Sequence, residues 1–283
     1  MSLLYDPHQH GRIDFVLHPT DLSEASERAF HHALAIAIRQ GAQFTLLHAL
    51  GRRATDNWVD FPSVRGKLAE WRSAGTLESL EEKARRASVS KIEVDIRDPV
   101  AASLQYIERN AVDLVVLATQ DRSGLSRLVR ASGAERLARG ARVYTLFIPA
   151  GGRYFVDAGS GAVGLRHILV PVDPQTDPRP AMLRAVSIAA LMNDPTLEIT
   201  LLHVGESESM STEVPDLPFC RWRVVQRPGD PTTEILAQAE ELPADVICMS
   251  THWSRVRFGR TENTVTERVI GAALCPVATV PVS

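Results

Sequence analysis

Two stretches decide the fold of this chain: Asp113-Leu114-Val115-Val116-Leu117-Ala118-Thr119 and Asp245-Val246-Ile247-Cys248-Met249-Ser250-Thr251. Each is a nearly continuous apolar run, which is typical of a strand buried on both faces of a parallel sheet. The second stretch follows the first by 132 positions, and four further pairs of residues keep that spacing. These pairs are Asp98-Pro99 with Asp230-Pro231, Ser132 with Thr264, Glu135-Arg136 with Glu267-Arg268, and Pro149 with Pro281.

The spacing is wider toward the start of each copy. Asp21 corresponds to Asp173 at 152 positions, and His48 corresponds to His203 at 155, so the first copy carries 23 extra residues between His48 and Asp98. We interpret the chain as one fold made twice. The predicted segments are a domain at residues 1–150, a Gly-rich flexible linker at 151–165 and a second domain at 166–283. The insertion is predicted to form a lid or a helical cover over one sheet edge.

Composition excludes several classes of function. The net charge of −3 over 283 residues gives no electrostatic argument for binding nucleic acid or an anionic membrane. No segment approaches the ~18 apolar residues of a membrane span, and residues 1–11 lack the pattern of a signal peptide. Cys220, Cys248 and Cys275 form no Cys-x-x-Cys pair, which favours a reducing compartment. We therefore expect a cytoplasmic protein without nucleic-acid or membrane partners.

Short β-branched runs alternate with longer segments of helical period in both copies. Ser23 precedes two glutamates as a helix cap, and Asp98-Pro99 predicts another helix start. The predicted strands are Ile13–His18, Gln43–Ala49, Lys91–Arg97, Asp113–Thr119, Arg142–Pro149, Arg166–Val172, Leu197–Val204, Arg221–Arg227, Asp245–Thr251 and Pro276–Val282. The predicted helices are Ser23–Gln40, Pro99–Arg109, Ser132–Arg139, Arg179–Leu191, Pro231–Glu241 and Thr264–Ala272. This alternation predicts two tandem doubly wound parallel α/β sheets, with ligands beyond the carboxyl ends of the strands.

The chain resembles the universal stress protein family. The residues that carry the resemblance are Val16–Ser23, Asp98-Pro99-Val100, Val112–Thr119, Gly229-Asp230-Pro231 and Cys275–Pro281. The resemblance implies an adenine nucleotide alpha hydrolase-like fold with five parallel strands in the order 3-2-1-4-5 in each copy. It also implies dimerisation through the last strand. We therefore predict an intramolecular pseudo-dimer in which Tyr144–Ile148 pairs with Val277–Val282 and covers an exposed edge; a further homodimer stays open.

In some members of that family, ATP or AMP binds at the crevice between strands one and four. Those members carry Gly-x-x-Gly, nine residues, then Gly-Ser or Gly-Thr, and the glycines let backbone amides approach the phosphates. This chain departs from the motif at every glycine: the positions hold Ala118, Asp121 and Ala131 in the first copy and Ser250, Trp253 and Asn263 in the second. Asp121 alone would repel a phosphate by about 4 kcal/mol per charge pair at ~4 Å and a dielectric near 20. The glycine-dependent ATP site is therefore predicted to be degenerate in both copies.

Five residues would contact a nucleotide if binding were retained: Asp21, Arg122, Ser132, Asp173 and Thr264. Each has a competing local explanation. The two aspartates end the first strand of their copies and can form the turn or cap the helix that follows. The two hydroxyls precede a glutamate by three positions, which predicts a capping box in each copy. Arg122 belongs to a loop whose several arginines are more typical of a solvated basic loop than of a phosphate clamp.

Nothing in the sequence supports catalysis or a metal site. His48 and His203 end equivalent strands without an acid or nucleophile at motif spacing. His31 and His32 point about 100° apart on their predicted helix, which disfavours zinc. We therefore predict no enzyme and no cofactor, but a regulatory or protective binding protein of the stress response. Two alternatives stay open: an ATP- or AMP-binding switch with slow hydrolysis, centred on the first copy, and a sensor of a small molecule or partner protein built on the insertion.

Overall fold

The chain divides into two compact units, each with its own sheet. The first half, as we call it, contains Ile13–Ala150 and Tyr154–Gly164, and the second half includes Gly151–Arg153 and Leu165–Ser283. The structure is a computed structural model and describes residues 12–50, 61–119, 133–173, 176–192, 194–206, 214, 217–252 and 264–282. Within these ranges, no helix combines the length and the apolar character needed to cross a bilayer.

The first half is a parallel sheet with helices on its faces. Its strands are β1 (Phe15–Pro19), β2 (Gln43–Ala49), β3 (Ser88–Val94), β4 (Leu114–Ala118) and β5 (Tyr144–Ile148). Its helices are α1 (Glu24–Gln40), α2 (Val64–Ser73), α3 (Glu81–Arg86), α4 (Pro99–Arg109) and α5 (Gly133–Ala141), with a 3-10 turn at Glu78–Leu80. The strands lie in the order β3-β2-β1-β4-β5, so the winding reverses between β1 and β4.

The second half repeats this arrangement. Its strands are β6 (His167–Val172), β7 (Glu198–Val204), β8 (Arg221–Arg227), β9 (Val246–Thr251) and β10 (Val277–Pro281). Its helices are α6 (Arg179–Met192), α7 (Pro231–Glu241) and α8 (Val265–Ala272). The order is β8-β7-β6-β9-β10, and its strand pairs are parallel. The predicted doubly wound class and the strand order 3-2-1-4-5 are confirmed in each half.

Side-chain caps begin the helices where the sequence predicts them. Ser23 Oγ accepts the Ser26 N–H at 3.2 Å at the start of α1. At the start of α4, Asp98 Oδ1 accepts the Val100 N–H at 3.0 Å. Because each cap satisfies a donor that the helix itself cannot use, the chain turns sharply from strand into helix at these points.

The aspartates of the two opening stretches have a structural role. Asp113 Oδ2 accepts the N–H groups of Asp14 and Phe15 at 2.8 and 2.9 Å. Asp245 Oδ2 binds the two N–H groups at the start of β6 in the same way, at 2.6 and 2.9 Å. Each carboxylate therefore fixes the first strand of its half against the fourth.

The repeated Arg residues also stabilise the scaffold. Arg136 Nη2 lies 3.4 Å from Asp98 Oδ2, and Arg268 Nη1 lies 3.8 Å from Asp230 Oδ2. The same ion pair thus joins α5 to the start of α4 in the first half and α8 to the start of α7 in the second half. At these exposed positions such a pair contributes only about 0–1 kcal/mol, so its main effect is to orient the helices.

The described helices of the insertion pack on α1. Helix α3 contacts α1, and the buried ring of Trp71 on α2 lies 6.4 Å from the His31 ring of α1. These helices therefore cover part of α1. Strand β3, which follows them, begins at Ser88 instead of Lys91 and pairs with β2 along its whole length. Its alternating, half-exposed side chains lack the apolar run that locates the central strands.

The predicted flexible linker contains a folded hairpin. Val156 and Val163 form an antiparallel bridge, and the Asp157 N–H donates to Ala162 O at 2.9 Å. Trp71 Nε1 donates to Ala158 O at 3.0 Å, which ties the hairpin to α2. We call residues 154–164 the docked hairpin. It folds because it buries apolar side chains against the first half, which outweighs the freedom its glycines offer.

Candidate functional site

A crevice opens at the carboxyl ends of β1 and β4 in the first half, where the winding reverses. It has a volume of about 480 Å³ and lies between the turn after β1 and the first residues of α1, α4 and α5. Leu47, Leu117 and Leu137 are among the apolar residues that line it. Its polar side chains are Thr20, Asp21, Ser23, Ser26, His48 and Ser103. The described lining contains one carboxylate and no lysine or arginine.

The turn at the mouth of this crevice is held by its own side chains. Asp21 Oδ1 accepts the Ser23 N–H at 3.0 Å and the Ser23 hydroxyl at 2.6 Å. Between them, Leu22 has a φ of 63°, in the left-handed region that a leucine rarely adopts. The Leu22 N–H donates to Thr20 Oγ1 at 3.0 Å. The predicted local role of Asp21, shaping the turn into α1, is thus present, and the carboxylate remains exposed.

A chain of buried hydrogen bonds runs behind this turn. His18 is fully buried, and its Nδ1 lies 2.9 Å from Val116 O. A carbonyl oxygen only accepts, so Nδ1 carries the proton. Burial lowers the pKa of His18 to about 4, so the ring is neutral near pH 7. Nε2 is then unprotonated and can accept a hydrogen bond. Ser26 therefore donates its hydroxyl proton to Nε2 at 3.3 Å, and Thr20 donates to Ser26 Oγ at 2.8 Å.

The other polar groups of this crevice are also engaged. His48 Nδ1 lies 2.9 Å from Thr20 O, so that nitrogen is a donor as well. The Ser103 hydroxyl donates to Pro99 O at 2.8 Å within α4. These bonds leave the crevice wall fixed in one arrangement before any ligand arrives.

The equivalent crevice of the second half is smaller. It has a volume of about 360 Å³ and lies at the carboxyl ends of β6 and β9. Asp173 supplies its one carboxylate, and again no lysine or arginine occurs among the described residues that line it. The buried chain of the first half has no equivalent here, because Val170, Val172 and Pro178 occupy the positions of His18, Thr20 and Ser26.

Two hydroxyls of the second crevice bind backbone N–H groups. Ser250 Oγ accepts the Ala181 N–H at 3.2 Å. Thr264 Oγ1 accepts the Glu267 N–H at 3.2 Å, and Glu267 Oε2 accepts the Thr264 N–H at 2.9 Å. The capping box predicted for the second copy is confirmed. Its existence explains Thr264 without any phosphate.

The structure places about half of the predicted site residues. Asp21 and Ala118 line the first crevice, and Asp173, Ser250 and Thr264 line the second. The remaining predicted positions lie outside the described residues; these are Asp121, Arg122, Ala131, Ser132, Trp253 and Asn263. The buried chain was not predicted. Its signal is a histidine near the end of β1 and a threonine two positions later, just after the strand, followed by Ser26 in the first turn of α1.

The described residues contain no group of three or more side chains that could hold a metal ion. His31 and His32 are buried in α1 and face the docked hairpin and α2 instead. Burial lowers the pKa of both rings, that of His32 to about 4. Their role in the described structure is packing.

Comparison with known proteins identifies the relatives of this fold. The sequence model of the universal stress protein family matches residues 13–149 and 214–281. A universal stress protein from Archaeoglobus fulgidus has a similar structure, with 18% sequence identity, coverage of 95% of this chain and 96% of that chain, and a TM-score of 0.66. A functionally unknown protein from Pseudomonas aeruginosa has 15% identity, coverage of 96% and 94%, and a TM-score of 0.59. No curated protein matches the chain.

Proposed function

Because the chain belongs to the universal stress protein family, we propose that it is a regulatory or protective binding protein of the stress response. Its two crevices hold a small ligand through contacts other than a phosphate cradle. Binding, rather than turnover, is its activity.

One observation carries this proposal. The described lining of each crevice contains a single carboxylate and no lysine or arginine. A phosphate oxygen ~4 Å from that carboxylate would be repelled by about 1 kcal/mol per charge pair in water and about 4 kcal/mol at a dielectric near 20. Helix N-termini supply only about half a positive charge each, so they offset a polyphosphate in part.

The side chains at the positions of the phosphate-binding motif also argue against a phosphate cradle. Ala118 and Ser250 stand where the nucleotide-binding pattern has its first glycine, and each adds a side chain to the crevice wall. Thr264 Oγ1 already accepts a hydrogen bond from the Glu267 N–H. Of the groups that would cradle a phosphate, those that the structure describes are therefore either replaced, as at Ala118 and Ser250, or already bonded, as at Thr264.

Calorimetric titration of the ligand-free chain with ATP, AMP and adenosine tests the proposal. We expect no micromolar binding of ATP or AMP to the natural sequence. A variant that restores the first-copy glycines, Ala118→Gly/Asp121→Gly/Ala131→Gly, should gain ATP affinity, because it removes both the side chains and the negative charge. The matched control is Ser250→Gly/Trp253→Gly/Asn263→Gly in the second copy.

Micromolar ATP or AMP binding by the natural sequence would overturn the phosphate-independent reading in favour of a nucleotide switch. The described part of the insertion gives less support to a sensor based on its aromatic residues. The Trp71 ring is 1% exposed and its Nε1 is bonded to Ala158 O, so it presents no surface to a partner.

A further inference from the structure

The first crevice is unusual in how its polar groups are used. Every side-chain donor among its described lining residues is already bonded to an acceptor of the protein. Ser23 donates to Asp21, Ser103 donates to Pro99 O, and His48 Nδ1–H donates to Thr20 O. The directions follow because carboxylate and carbonyl oxygens can only accept.

The remaining two hydroxyls follow from the buried histidine. His18 donates from Nδ1 to Val116 O, which makes Nε2 an acceptor. The Ser26 proton must point to that nitrogen, and the Thr20 proton must then point to Ser26 Oγ. Turning the Ser26 hydroxyl away would leave the fully buried imidazole unsatisfied, which proteins avoid. Turning the Thr20 hydroxyl away would break its 2.8 Å bond to Ser26 Oγ.

The described hydroxyls and the carboxylate of this lining therefore offer a ligand only acceptors. These are the exposed carboxylate of Asp21 and the remaining oxygen lone pairs of the hydroxyls. Apolar side chains, among them Leu47 and Leu117, complete the lining and suit a short hydrocarbon chain. A ligand that must itself accept hydrogen bonds, such as a carboxylate or a phosphate, meets no uncommitted hydroxyl among the described residues of this lining.

We propose that the first crevice selects a small organic cation with N–H donors, of the ammonium type, bound by Asp21 and the neutral acceptors around it. This inference rests on the proposed function, which places the ligand in the crevice. The full negative charge of Asp21 favours a cation over a neutral polyol, which could satisfy the same lone pairs.

The second crevice provides an internal contrast. Ser250 and Thr264 accept backbone N–H groups through their oxygens, so their own protons stay available to a ligand. The residues that commit the hydroxyl protons in the first half are replaced by Val170, Val172 and Pro178. The two halves should therefore differ in ligand preference although their folds agree.

Three four-carbon compounds of similar length separate the possibilities: 1,4-diaminobutane, 1,4-butanediol and succinate. In calorimetric titrations of the full chain, we expect diaminobutane to bind tightest, butanediol about tenfold weaker because it lacks the charge, and succinate not at all. Asp21→Asn keeps an oxygen that Ser23 can bond and removes the charge, so it should weaken diaminobutane about tenfold. Asp194→Asn is the matched change outside both crevices, because Asp194 Oδ1 accepts the N–H and the hydroxyl of Thr196 just as Asp21 accepts those of Ser23; it should leave that affinity unchanged.

The outcomes distinguish the two proposals. Equal or tighter binding of succinate or butanediol, or an Asp21→Asn variant that binds diaminobutane as the natural chain does, overturns the cation inference and leaves the proposed function standing. If neither these compounds nor adenosine bind, the proposed function fails, and the inference fails with it. Thermal unfolding of each variant shows that a lost affinity does not come from a lost fold.

Discussion

The contact between Gly161 and Trp71 makes a strong test of the docked hairpin. Gly161 has a φ of +71°, and a Cβ built on it would lie 2.2 Å from Cδ2 of the Trp71 ring. Gly161→Ala therefore combines backbone strain with a collision against a buried indole. The ring cannot move aside freely, because its Nε1 is bonded to Ala158 O in the same hairpin.

The expected cost can be assembled from its parts. Left-handed backbone costs an alanine about 1 kcal/mol, and loss of the Trp71–Ala158 hydrogen bond costs about 1 kcal/mol. Partial exposure of the indole adds at least another ~1 kcal/mol at ~25 cal/mol per Å². We expect the hairpin to open more easily by about 3 kcal/mol in total. Gly75→Ala is the matched control: Gly75 has a φ of +79° but nothing within 4 Å of its added Cβ, so only the strain applies.

Hydrogen exchange of the peptide that spans residues 154–164 measures this opening directly. Gly161→Ala should speed exchange there by about a hundredfold, whereas Gly75→Ala should change it no more than severalfold. In a Trp71→Ala background the collision is absent, so Gly161→Ala should then add only about 1 kcal/mol. Equal effects of Gly161→Ala and Gly75→Ala in the natural chain, or full additivity with Trp71→Ala, would refute the docked arrangement.

Three further predictions concern caps, protons and thiols. Thr264→Ala should lower the free energy of unfolding by about 1 kcal/mol in urea titrations, with Thr264→Ser close to the natural chain, and neither should alter ligand affinity in the first crevice. Burial lowers the pKa of His18 and His32 from 6.5 to about 4. The stability that the two neutral rings contribute is present above pH 6.5 and is lost as pH falls toward 4. At pH 5 each ring should lower the free energy of unfolding by about 2 kcal/mol, and His32→Asn should remove its share of this pH dependence. Burial also raises the pKa of the three cysteine thiols, so a disulfide reagent at pH 8 should react only after unfolding; rapid reaction of the native chain would contradict this. They are Cys220, Cys248 and Cys275, with pKa values of about 11, 12 and 11.

The sequence predicts most of the fold because the decisive signals are local and strong. The apolar runs of β4 and β9, and the caps at Ser23 and Asp98, each favour one structure only. The position of β3 was wrong by three residues, because an edge strand with alternating polar residues carries little hydrophobic signal. Propensity does not locate such a strand; its pairing with β2 does.

The docked hairpin shows a different limit. The glycines of residues 151–165 predict a flexible linker. The same segment also contains an Asp-Ala-Gly-Ser-Gly turn between Phe155-Val156 and Ala162-Val163, a pattern that predicts a hairpin. What the sequence does not reveal is the partner, because Trp71 lies far away along the chain. Long-range burial decides whether a short hairpin is stable.

The sequence predicts where the site lies, but not which of its side chains donate and which accept hydrogen bonds. Strand order alone places a crevice beside Asp21 and another beside Asp173. The direction of each hydroxyl proton depends on His18 and on its distance to Val116 O, which no residue pattern supplies. Two copies that look alike at Asp21 and Asp173 therefore differ in what they offer a ligand.

The docked hairpin also determines where a fragment that contains only the first half must end. A fragment that stops at Ala150, just after the last strand, would contain every strand of the first half yet leave the indole of Trp71 facing water. A fragment that continues to Gly164 keeps the residues that cover it. A domain ends at the last residue that its core needs. In this chain that residue lies in the docked hairpin, which follows Gly151–Arg153, a segment that belongs to the second half.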